Sequence, residues 1–95
     1  MVVGVCRINL VLHGNQSLKG KRQVLKSIIE KTRNRFNVSV SEVGDHDIWQ
    51  RATVAVCAAG TDAPFVNSVI DKTVNYIEDL QLAEVLDHDI ELVNF

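Results

Sequence analysis

The chain has 95 residues, 46% of them hydrophobic, with five Gly, one Pro and two Cys, which excludes a disordered chain, a flexible tether and a disulfide-stapled scaffold and points to one small globular domain over residues 1–95. Its net charge of −2 conceals a split: residues 1–41 carry eight Lys/Arg and one acid, a net of +7, and residues 42–95 carry two and eleven, a net of −9. The pI near 5.8 weighs against a dedicated nucleic-acid binder, which is usually basic overall, while the split itself suits an anionic partner at one end or attraction between the halves, within one molecule or between two.

No apolar run approaches the roughly 20 residues that cross a bilayer. The apolar start, residues 1–14, lacks a basic leader and alternates, so it reads as structure and not as a signal peptide. Cys6 and Cys57 have no CxxC spacing, and a cytoplasmic chain with two reduced thiols is the simplest account.

Val2 to Leu12 alternates as a strand, with Val2, Gly4, Cys6, Ile8, Leu10 and Leu12 on the face turned to the core and Val3, Val5, Arg7, Asn9 and Val11 on the other. His13-Gly14-Asn15-Gln16 is a turn, and Ser17 is the natural N-cap of the helix that follows, Ser17 to Arg35. Leu18, Leu25, Ile28, Ile29 and Thr32 form its apolar stripe. Gly20 is unexpected there: a Glu would complete a capping box, whereas Gly costs about 0.5–1 kcal/mol relative to Ala in a helix interior. It is either drift at a tolerant position or bare backbone that a ligand approaches. Phe36 to Val43 reads as a second strand with Phe36, Val38 and Val40 inward. After the polar turn Gly44–Asp47, Ile48 to Ala59 reads as a third, with Ala52, Val54, Val56 and Ala58 inward. Gly60-Thr61-Asp62-Ala63-Pro64 opens a second helix running to about Leu80, with Val66, Val69, Ile70, Thr73, Ile77 and Leu80 buried. Glu84 to Phe95 is the last strand, with Leu86, His88, Ile90 and Leu92 in one register and Asp87, Asp89 and Glu91 on the other face. The order βαββαβ predicts an α+β ferredoxin-like plait: a four-stranded antiparallel sheet, two helices on one face, the first and third strands central and the second and fourth at the edges.

Three runs, Ser17-Leu18-Lys19 with Lys21-Arg22, Arg35-Phe36-Asn37-Val38-Ser39-Val40 with Glu42, and Trp49-Gln50-Arg51, together resemble the YlxP-like family of small bacterial proteins, over nearly the whole chain. The resemblance implies a ferredoxin-like domain, genes placed among those for translation factors and ribosome maturation, and no settled biochemical activity. Members usually have Glu at the position of Gly20.

The first helix carries Lys19, Lys21, Arg22, Lys26, Lys31, Arg33 and Arg35 against Glu30 alone. Lys19, Arg22, Lys26 and Arg33 fall roughly along one line with Lys21 and Lys31 beside it, the footprint of phosphate binding, though a merely solvated face has the same composition. The candidate nucleic-acid-binding residues are therefore Lys19, Lys21, Arg22, Lys26 and Arg33, with Arg51 as a further candidate, and the gene placement that the resemblance implies makes ribosomal RNA or the ribosome the expected partner. The open sheet face has no aromatic residue on its central strands, so base stacking of the usual kind on this fold is not expected there. That Val-rich face or an edge strand could instead join two copies or dock another factor, and a regulatory domain for a small ligand is a third class, with nothing selecting the ligand. Trp49 reads as capping the end of a thin core, or else as a partner anchor. Of the triplets Asp45-His46-Asp47 and Asp87-His88-Asp89, the first is in a turn and could close on one ion, whereas a strand sends the Asp and His of the second to opposite faces; they sit on separate edges, so joining them needs a dimer, and no metal site or cofactor is assigned. With no phosphate-cradling glycine loop, HExxH or GxSxG, and no Arg in His13–Gln16 such as acylphosphatases of this fold need, the expectation is a non-catalytic module.

Overall fold

The alternation that begins at Val2 becomes strand β1, Val2–Val11, in the computed structural model, which describes residues 1–95. Val2, Cys6, Ile8, Leu10 and, beyond the strand, Leu12 are buried, while Val5 and Arg7 on the other face are exposed. The remaining elements are α1 (Leu18–Arg35), β2 (Ser39–Gly44), β3 (Arg51–Gly60), α2 (Ala63–Leu80) and β4 (Glu84–Asn94). The sheet order is β2-β3-β1-β4, with every neighbouring pair antiparallel. With both helices over one face, this is the α+β ferredoxin-like plait that the element order predicts.

Both helices start where their caps place them. The Ser17 hydroxyl accepts from the Gly20 N–H at 2.9 Å, and the Asp62 carboxylate accepts from the Phe65 N–H at 2.9 Å. The core is one cluster of β1 and β3 side chains roofed by Leu25 and Ile28 of α1 and by Val66, Ile70, Val74 and Ile77 of α2. The two buried threonines, Thr32 and Thr73, return their hydroxyls to the carbonyls of Ile28 and Val69, four residues back, so neither leaves a polar atom unpaired in that core.

Four boundaries or faces differ from the sequence reading. Phe36 does not open β2. It closes α1, its N–H donating to Thr32 O at 3.0 Å, and its ring meets Tyr76 edge-on with 5.5 Å between centroids. Ile48 to Gln50 remain in a turn ahead of β3, held where Leu12 N donates to Gln50 O at 2.8 Å. In β4 the register slips between Asn9↔Asp87 and Leu10↔Val85. Leu86 is the extra residue of this bulge and is 51% exposed, while Val85 takes the inward place expected for it. On α2, Val74 is buried, and Leu80, its last residue, only half-buried. No helix is long and apolar enough to cross a membrane.

Candidate nucleic-acid interface on the first helix

Of the cations expected to face a phosphate, Lys21 does not. It is 0% exposed, and its ammonium donates to the carbonyl oxygens of Asp45 and Ile48, the latter at 2.7 Å, with His46 O at 3.4 Å. The Glu42 carboxylate stands 3.6 Å away. The turn between β2 and β3 points its carbonyls inward, buried carbonyls need donors, and an ammonium offers three. Lys21 therefore fastens that turn to α1 and has no charge to offer a phosphate. The signal for this was present in the spacing: Lys21 follows Leu18 by three and precedes Leu25 by four, so it lies on the apolar stripe. Leu18, one turn earlier, is exposed instead.

Arg22 grips Glu42 with both nitrogens, Nη1 to Oε1 at 2.5 Å and Nη2 to Oε2 at 2.8 Å, and the Glu42 side chain is only 9% exposed. The Arg22 hydrogen bonds hold the Glu42 carboxyl below the usual carboxylate range; burial pulls the other way, and the charges of Arg22, His46 and Lys21 add to the lowering. The same bonds raise the Arg22 guanidinium further. Arg33 Nη2 donates to Val40 O at 2.9 Å, occupying a carbonyl of β2. Lys19 and Lys26 are exposed and form no ion pair, while Arg51 opens β3 on the sheet face away from the helices. At 100° per residue Lys19, Arg22, Lys26 and Arg33 do share one side of α1. Two of the four spend their charge on β2.

Gly20 has its own account. A Cβ there would collide with Asn15 Oδ1 and stand 3.2 Å from Ser17 Oγ, so the space the missing side chain leaves is filled by this chain's own Asn15, not by a ligand. Asn15 Nδ2 donates to Ser17 O at 2.8 Å and to Trp49 O at 2.6 Å, and Gln50 Nε2 returns a bond to Asn15 O at 2.8 Å. Asn15 and Glu42, which the sequence reading gave no role, thus join Ser17, Lys21, Arg22, Trp49 and Gln50 in one bonded unit at the start of α1. The Trp49 side chain does not cap the core; it is 46% exposed on a backbone fixed from three sides.

Elsewhere three polar pairs form across neighbouring elements. Asp45 Oδ2 accepts from Thr53 Oγ1 at 3.3 Å, Asp87 Oδ1 accepts from Asn9 Nδ2 at 2.5 Å, and His13 Nε2 meets Glu84 Oε2 at 2.5 Å. Burial, then Asp71, Asp89 and Cys57, push the Cys6 thiol up to about 11, so it stays a neutral core group.

A family described as "Protein of unknown function (DUF503)" matches residues 3–90. The chain is also similar to "Uncharacterized protein YlxP" of Bacillus subtilis (strain 168): 31% of 77 residues are identical, and the match covers 81% of this chain and 84% of that protein.

Proposed function

The chain belongs to this family of unknown function, DUF503, and from that premise we propose that it is a non-catalytic binding module whose exposed α1 cations meet the phosphates of RNA, ribosomal RNA first among them. The observation that carries the reading is the state of Lys19 and Lys26. Both are exposed, both lack a carboxylate partner, and they stand seven residues apart on one side of the helix, about 10 Å along its axis. Lys21, Arg22 and Arg33 hold that helix in place, so a phosphate chain would meet a fixed pair of charges. Arg51, on the other sheet face, is a separate contact. Recognition of this kind follows charge and shape and carries little base sequence.

The test is co-sedimentation with ribosomal subunits and with free ribosomal RNA across a salt series. Two to three phosphate contacts on single strands give a log–log slope of roughly −1.4 to −2.1. The double reversal Lys19→Glu, Lys26→Glu flattens that slope and abolishes binding at moderate salt. Absence of binding at low salt, or a double variant that binds like the parent, overturns the reading.

A further inference from the structure

The edge of β4 is a second surface, independent of α1. It is 11 residues long, lies at the end of the sheet order, and its outer backbone groups receive no side-chain hydrogen bond, unlike Val40 O of β2. Such an edge is a template for another strand unless Lys, Pro, shortness, charge or a bulge blunts it; the bulge at Leu86 interrupts this one, leaving residues 87–94 as its regular stretch. From Thr73 to Phe95 the chain contains no Lys, Arg or Pro and six acids beyond the end of α2 and within its last turn. Asp87, Asp89 and Glu91 line up on the open face, in register with Asn9, Arg7 and Val5 of β1. Neither Asp89 nor Glu91 forms an ion pair. The other face of the same strand offers Ile90 and a partly exposed Leu92.

A second copy of β4 is disfavoured by its own charges. A two-fold pairing keeps open face beside open face, so odd residues oppose odd residues. Asp87 then opposes Glu91 and Asp89 opposes Asp89, and sliding by two still sets carboxylate against carboxylate. Like charges directly opposite one another destabilise a strand pair. The edge thus selects a strand of opposite sign.

An independent feature sits where β4 begins. A cleft of about 500 Å³ is lined by residues 81–85 together with Glu78 and His13. Glu78, which has no partner, and Glu84, which His13 meets at 2.5 Å, stand over apolar walls and suit one long basic side chain, its stem on Leu82 and Val85 and its charge at Glu78, with Glu84 exchanging His13 for it. We infer that β4 docks an extended basic peptide segment of a protein partner by strand addition, cations alternating with apolar residues, with one further Lys or Arg seated in the cleft.

The probe is a nonapeptide of alternating lysine and valine, titrated into the ¹⁵N-labelled protein. The expected result is amide shifts and slowed hydrogen exchange confined to Glu84–Asn94 and the cleft, with the glutamate–valine analogue silent. Asp89→Lys with Glu91→Lys, both at exposed positions, weakens the complex at least tenfold. N-methylation of alternate peptide amides, which keeps charge and removes the outward donors, weakens it comparably. Shifts elsewhere, or none at millimolar peptide, overturn the inference, and so does binding indifferent to N-methylation, which would be charge attraction without a strand. None of these readings depends on whether α1 binds RNA.

Discussion

The two helices have the same length, the same kind of cap and the same side of the sheet, yet they are anchored in opposite ways. α2 rests on β1, β3 and β4 through Val66, Ile70, Thr73, Val74 and Ile77, a stripe with one polar member. α1 rests on β2 and α2, and half of its four buried residues, Lys21 and Thr32, are polar. α2 is held by shape, where fit to neighbouring methyl groups decides the free energy. α1 is held at its first turn by hydrogen bonds from Lys21 to the carbonyls of Asp45 and Ile48, so its position there depends on donors being matched to carbonyls.

That contrast breaks most sharply at Lys21. Lys21→Ala strands the carbonyls of Asp45 and Ile48 and leaves Glu42 with one cation fewer, and it costs about 3–5 kcal/mol in denaturant unfolding. Lys21→Met keeps the stem and fills the space. If it recovers most of the loss, α1 is held by packing after all and the two helices are alike.

A paired glycine experiment comes next. Gly4 lies beneath α2, and a Cβ there would overlap Ile70 Cδ1 and stand 2.7 Å from Val66 Cγ1. Gly4→Ala is expected to cost about 1–3 kcal/mol, because a packed core cannot yield. Gly20→Ala meets the end of the Asn15 side chain, which can swing away. The loss of its bonds to Ser17 O and Trp49 O is offset by the helix preference of Ala, about 0.5–1 kcal/mol, leaving the two within about 1 kcal/mol of balance. Equal penalties at both glycines would erase the distinction between a jigsaw anchor and a polar one.

The smallest effect is one of pH. The folded-state pKa of Glu42 is depressed by Arg22, so the native protein binds fewer protons there than the unfolded chain. Its stabilisation is present in full above the ordinary carboxylate value of about 4.3 and fades as pH falls through the lower folded value. Thermal melts below pH 5 should therefore fall less steeply for Glu42→Gln than for the parent.

Most of the fold was legible because it rests on periodicity. The alternation of Val2 to Leu12 and of Ala52 to Ala58, and the spacing of Val66, Ile70 and Ile77, fix which way side chains point before any contact is known. What escaped were features decided by backbone geometry between elements. The bulge at Leu86 leaves no trace in composition, and Phe36 is equally suited to open a strand or close a helix. At the site the types were right and the partners hidden. Lys21 and Arg22 look alike as positive charges; the spacing sets Lys21 on the apolar stripe, but the carbonyls of Asp45, His46 and Ile48 that receive it and the Glu42 carboxylate that Arg22 grips belong to other elements, which only the fold brings together.

The pairing of β1 has a consequence for how the molecule is made. This strand has the lowest residue numbers of the four and two partners, and both come later: Val2 is in register with Gly60 on one side and with Asn94 on the other. During synthesis at about 5–20 residues per second, its apolar face waits for β3 and its outer edge for β4. Contacts of such sequence separation slow folding and leave apolar strands open to wrong partners in the interval. A strand at the centre of the finished sheet is thus the first of the four to be synthesised and among the last to be completed.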